Sequence, residues 1–136
     1  MPYYTKIKIR PADSLFSKYI RTRDGRCQLR AHCLGLETYK ELQCAHFHSR
    51  RKESVRFDPS NAVALCGKCH HFVDQTEEGK KYFKVFMKER LGERTYDLLE
   101  LCSNTPQKKD DVLTLLYLKG LVKELESSLP HSEMVA

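Results

Sequence analysis

At 136 residues the chain is long enough for one domain with one modest core, and 40% hydrophobic with 31% charged residues suits a globular protein in water. No run of about 18 apolar residues exists, so no membrane span is expected. The opening Met1-Pro2-Tyr3-Tyr4-Thr5-Lys6 lacks the apolar core of a secretion signal, so a reducing cytoplasm is expected, where six cysteines argue for metal binding over a disulfide framework.

The first 11 residues alternate loosely around Ile7 and Ile9 and read as an extended arm ending at Pro11. A helix is predicted over 12–23, with Leu15, Phe16, Tyr19 and Ile20 as its apolar stripe and Asp24-Gly25 as its stop. Residues 26–44 hold Cys27, Cys33 and Cys44 with Gly35 between them, a loop pattern. A strand is predicted over 41–48, placing Leu42, Cys44, His46 and His48 on one face. Arg50 to Arg56 reads as a charged turn and second short strand, and Asp58-Pro59-Ser60-Asn61 as a turn. Ala62 to Leu65 is a short apolar run, and 67–75 is a predicted short helix. Then come a helix striped by Tyr82, Phe83, Phe86 and Met87 that ends at Leu91-Gly92, and another ending near Asn104. The last helix is expected to begin at Thr105-Pro106 and to fray from Ser127. The class is therefore α+β and mostly helical, in one domain spanning 1–136: an arm and helix to 25, a central core over 26–76, and a helical part over 77–136.

Cys66-Gly67-Lys68-Cys69 has the spacing of a zinc knuckle, which supplies two thiolates from one tight turn. Cys27 and Cys33 are the best second pair, with His32 or Cys44 as replacements and His70 or His71 as completers of a three-cysteine set. Cys102 reads as an ordinary core thiol.

Hydrolysis of a phosphodiester needs a deprotonated water and relief of charge on the phosphorus and the leaving oxygen; a neutral histidine and a divalent cation supply these. His46 near a strand end could serve as base, and His70 directly after the knuckle could offer a ring nitrogen to the cation. Asn61, in the loop between them, could bridge backbone groups so that the two histidines converge. Taken singly, each has a bland alternative: a satisfied core histidine, a turn asparagine, a zinc ligand.

The ordered segments His46-Phe47-His48-Ser49-Arg50, Arg56-Phe57-Asp58-Pro59-Ser60-Asn61 and Cys66-x-x-Cys69-His70, followed by Leu91-Gly92-Glu93, resemble the HNH (ββα-metal, His-Me finger) endonucleases, and within them the phage NinG-like recombination nucleases. The likeness covers about residues 12 to 101. It implies a ββα-metal finger with a structural zinc, flanked by an N-terminal helix and C-terminal helices. It implies His46 as general base, Asn61 as structural asparagine, and His70 as ligand of a catalytic divalent ion, Mg2+ or Mn2+. It also implies Cys27, Cys33, Cys66 and Cys69 as holders of structural Zn2+. Many members carry an acidic or histidine ligand just before the base, where this chain has Ala45. His48 is the first candidate for that missing ligand, water the second, and the roles of His46 and His48 could be reversed.

Charge supports a polyanionic partner. Residues 1–90 hold 19 Lys and Arg against 10 Asp and Glu, whereas residues 91–136 hold 5 against 8. Arg50, Arg51, Lys52 and Arg56, with Arg23 and Arg26, are the expected contacts to duplex or branched DNA, gripping phosphates with little sequence preference. Lys80, Lys81, Lys84 and Lys88 read as a solvated face. The last helix, acidic-leaning and rich in leucine, either caps the core or pairs with a second copy. The expected function is a metal-dependent DNA endonuclease, in the host cytoplasm if phage-encoded. The rivals are a non-catalytic zinc-knuckle DNA-binding module and a zinc-stabilised protein adaptor.

Overall fold

The computed structural model describes residues 7–31, 33 and 41–129. In chain order these form α1 (Pro11–Asp24), β1 (Gln43–His46), α2 (Glu53–Arg56), a 3-10 turn (Pro59–Asn61), β2 (Ala62–Leu65), α3 (Gly67–Gln75), α4 (Glu77–Leu91), α5 (Glu93–Ser103) and α6 (Asp111–Ser128). The fold is α+β and mostly helical, and among the described residues its sheet is one antiparallel pair of strands. No described helix is long and apolar enough to cross a membrane.

Pro11 opens α1 at a position where its missing N–H costs nothing, and the Asp13 carboxylate accepts from the Arg10 N–H at 2.7 Å. Gly25, at φ +71°, closes the helix by donating to the Arg21 carbonyl at 2.9 Å. Phe16 and Ile20 are fully buried under the sheet, as their stripe predicts. A cluster of buried side chains runs from Ala12 in α1 to Leu118 in α6.

The strands pair Gln43 with Leu65, Cys44 with Ala64, Ala45 with Val63 and His46 with Ala62. All four residues of β2 are buried, which a strand achieves only when both of its faces are covered. Two sequence expectations are corrected here. The second strand is not within 50–56 but is Ala62–Leu65; Val55 and Arg56 both donate to the Lys52 carbonyl, and that segment forms α2. The first strand is shorter than 41–48: the Phe47 N–H still meets the Asn61 carbonyl in register at 2.8 Å, but the His48 N–H goes to the Asn61 side-chain Oδ1 at 2.8 Å in place of a backbone partner, and the strand closes at His46.

After the knuckle, α3 and α4 meet at a tight corner. Thr76 caps α4 by accepting from the Gly79 N–H at 2.8 Å, and a Cβ on Gly79 would lie 1.8 Å from the Phe72 carbonyl oxygen. Phe47, just past β1, packs its ring on Phe83 of α4 and Tyr96 of α5. The last helix begins later than Thr105-Pro106 suggests: Asp110 is the residue whose carboxylate caps it, accepting from the Leu113 N–H at 3.0 Å. It lies along α1, burying Leu118, while Val112, Leu113, Leu116 and Tyr117 stay half or more exposed. Arg10 fastens it at its start by pairing with both Asp111 and Glu53 of α2. The fraying expected beyond residue 129 falls outside the described residues.

Candidate metal centre and active-site cleft

The sulfur centre is assembled from two distant pieces of chain. Cys27 follows the α1 stop, where Gln28 donates its N–H to the Ala64 carbonyl of β2 at 3.0 Å. Cys66 directly follows β2 and caps α3, its Sγ accepting from the Cys69 N–H. The Sγ atoms of Cys27, Cys33, Cys66 and Cys69 all lie within 4.8 Å of one another. Cys33 is 3.7 Å from both Cys66 and Cys69, far beyond a covalent S–S bond and close to the edge of about 3.8 Å that a tetrahedron with zinc–sulfur bonds of about 2.3 Å would have. Burial alone would raise the Cys27 thiol, but backbone hydrogen bonds from Arg30 and Cys66, with those from the Cys33 and Cys69 thiols, hold it below its ordinary value. Four thiols converging on one point are a donor set that a soft metal ion fits. Among the described residues this is the one group of three or more ligating side chains close enough to hold an ion.

The alternatives for this centre resolve partly. Cys44 is not in the group; it faces a cleft, and burial pushes its thiol up to about 12. His71 is exposed and His70 lines the cleft. His32 lies outside the described residues. Cys102 is exposed, so the reading of it as a core thiol is corrected: α5 turns its Tyr96, Leu99 and Ser103 side inward instead.

The cleft has a volume of about 750 Å³ and opens between α1, β1 and α3. Asp13, Ser17 and Arg21 line it from α1, Gln43, Cys44 and His46 from β1, Ser49 and Arg50 from the loop, and His70 and Asp74 from α3. A smaller recess of about 210 Å³ shares His46, His70 and Asp74 and adds Lys80 and Phe83. The two histidines therefore border the same open space. The His46 Nε2 lies 2.9 Å from the Arg56 carbonyl, which can only accept, so Nε2 carries the proton and Nδ1 is left with its lone pair. Burial pulls its pKa down to about 4, against which the Arg56 carbonyl works, so the ring is neutral at pH 7. His70 is also lowered, by burial first, with Asp74 opposing and Arg50 assisting. Its Nδ1 lies 2.7 Å from the Gln43 Oε1.

Asn61 is fully buried. Its Oδ1 accepts from the His48 N–H at 2.8 Å, and its Nδ2 donates to the carbonyls of His48 at 3.0 Å and Val55 at 3.1 Å. One carboxamide thus clamps the exit of β1 to α2, the bridging that its place in the sequence suggests.

His48 is corrected as a partner of His70. The strand alternation that would have put it beside His46 ends two residues early, and the Asn61 clamp turns it toward α5, where its Nε2 is 2.9 Å from a Glu100 carboxylate oxygen. It borders neither the cleft nor the recess. Two of the six expected DNA contacts are corrected as well. Arg56 is 4% exposed and is held by Asp13 at 2.6 Å and by the Lys8 carbonyl. Arg23 donates to the Pro59 and Ala62 carbonyls and pairs with Asp24. Arg56 ties α2 to α1, and Arg23 ties α1 to the start of β2. Arg50 lines the cleft, Arg51 and Arg26 are exposed, and Lys52 is half-buried.

Asp74 and Gln43 at the cleft and Lys80 at the recess are among the bordering residues that were not anticipated as part of a site. Asp74 follows His70 by four residues on a helix whose limits were predicted, so the one-face spacing was available as a signal. Lys80 belongs to the run read as solvated, but the α3–α4 corner brings it to the recess. Gln43 carried no signal, because an amide at a strand start has many uses. Comparisons of the chain with family models, with curated proteins and with solved structures find no match.

Proposed function

We propose that the chain is an HNH-type, metal-dependent DNA endonuclease braced by a structural zinc. The observation that carries this reading is the shared cleft: a neutral imidazole on β1 with its Nδ1 available, facing the same space as a second imidazole on the helix that leaves the cysteine centre. In this reading Cys27, Cys33, Cys66 and Cys69 hold zinc and fix the start of α3, whose His70 N–H donates to the Cys66 carbonyl at 2.9 Å. His46 takes a proton from the attacking water at Nδ1. His70 and Asp74, four residues apart and bordering both spaces, are the protein ligands of a divalent ion. An imidazole and a carboxylate, with water and phosphate completing the shell, suit Mn2+ or Mg2+. When bound, that ion supplies charge to the scissile phosphate and the leaving oxygen. Arg50 and Arg21 on the cleft wall and Lys80 in the recess grip phosphate oxygens of duplex or branched DNA without reading bases. Ala45 fits this scheme, because it is fully buried in the core and a ligand there would point away from the cleft.

The exposed Val112, Leu113, Leu116 and Tyr117 on α6 support self-association through this helix, which sedimentation of the protein against a Leu116→Lys variant tests. The second reading, a non-catalytic zinc-knuckle DNA-binding module, draws on the low basicity of His46, since a base near pKa 4 is weak at pH 7. Incubation of supercoiled plasmid with protein and magnesium, manganese or EDTA separates the two. Nicking only with metal, lost in His46→Ala while DNA binding persists, is the expected result. Binding without nicking under every condition rejects the enzyme.

A further inference from the structure

We infer that Gln43 is a positioning residue that sets the ring tautomer of His70, so that Nε2 is the nitrogen offered to the divalent ion. This rests on the proposed role of His70 as a metal ligand and adds the residue that aims it.

The placement follows from the strand register. Gln43 opens β1 opposite Leu65, and Leu65 precedes Cys66, whose carbonyl receives the His70 N–H. The sheet and the knuckle together therefore lay the Gln43 side chain over the first turn of α3. Its Oε1 is 2.7 Å from the His70 Nδ1. An amide oxygen accepts and cannot donate, so Nδ1 must carry the proton, and a neutral ring then has its lone pair at Nε2 alone. Ligating histidines are generally held this way, with the far nitrogen donating to a fixed acceptor, and losing that acceptor costs about 10- to 100-fold in metal affinity. The opposite amide orientation would put Nε2 of Gln43 against Nδ1 and reverse the tautomer, so the two arrangements are distinguishable. Gln43 has an exposed side chain and bears no part of the core, which makes its substitution readable.

The test uses the zinc-loaded, full-length protein labelled with 15N. Long-range proton–nitrogen spectra at pH 7.5 report the tautomer of each histidine, with His70 assigned by its loss in His70→Gln. The wild type is expected to show Nδ1–H at His70, Gln43→Leu to shift toward Nε2–H, and Gln43→Glu, which keeps an accepting oxygen, to retain Nδ1–H. Manganese binding followed by electron paramagnetic resonance is expected to weaken about tenfold in Gln43→Leu and to be preserved in Gln43→Glu. Three results overturn the inference: Nε2–H at His70 in the wild type, no manganese bound by the wild type, or a Gln43→Leu protein unchanged in tautomer and affinity. If the tautomer and manganese effects hold while plasmid stays intact, the role of Gln43 stands and the nuclease reading falls. If the wild type cuts and Gln43→Leu changes nothing, the reverse applies.

Discussion

The cysteine centre and the histidine cleft lie at opposite ends of the same short segment, Cys66 to Asp74, yet they are built on different principles. The four thiols converge within 4.8 Å of one another from the stretch after α1 and from the start of α3, and three of the four are buried. The cleft offers one imidazole and one carboxylate on a single helix, open to solvent, with Arg21 and Arg50 on its wall. A closed set of four soft donors suits a permanent, structural ion, whereas two donors facing open space suit an ion that arrives with its waters or its substrate. The contrast teaches that the first region should govern whether the chain folds and the second what it does once folded.

The sharpest way to break that contrast is to remove the sulfur centre. Cys69→Ser, or prolonged chelation, should abolish the cooperative thermal transition, since structural zinc contributes on the order of 10 kcal/mol to folding in small domains. Metal analysis of the intact protein should give about one zinc per chain, and a folded zinc-free protein would reverse the argument.

Next comes Arg56→Ala, which strands Asp13 in a half-buried site and should cost about 3 kcal/mol or more in denaturant melts. Asn61→Ala removes three hydrogen bonds from a fully buried clamp and should cost about 3 kcal/mol, less than the zinc but more than any change confined to the cleft.

A smaller effect should appear on acidification. The His46 pKa is pulled from 6.5 to about 4 by burial, so below pH 6.5 the unfolded chain takes up a proton that the folded chain refuses. Its contribution to stability is therefore full above pH 6.5 and falls as pH drops toward 4. Melts of the wild type should lose stability over that window more steeply than those of His46→Gln, and parallel curves would reject the burial. Smallest of all, Arg50→Ala should leave the melting curve unchanged while weakening DNA binding and lowering the salt slope by about 1, as loss of one phosphate contact predicts.

Helices with a stripe and an end signal were legible in the sequence. The α1 stripe of Phe16 and Ile20 with Gly25 behind it, the 67–75 helix, and the α4 stop at Gly92 lie where the pattern puts them. What failed were short elements whose state is decided elsewhere in the chain. The segment 50–56 has no period of its own; it becomes helical because Arg56 is drawn inward by Asp13, 43 residues away. The same long reach misled the reading of charge: Arg56 and Arg23 look like surface cations until their partners on other elements are known. His48 failed because strand alternation was carried past the point where Asn61 ends it. The placement of His46 and His70 on one cleft was legible because order along the chain, with one antiparallel pairing, leaves few other arrangements.

The corner at Gly79 has a consequence beyond this chain. No side chain, however small, fits beside the Phe72 carbonyl, so any descendant that keeps the turn from α3 into α4 must keep a bare backbone there. Relatives that have drifted too far to align elsewhere should still carry a glycine ten positions after the second knuckle cysteine, a landmark that survives when the histidines themselves have been exchanged.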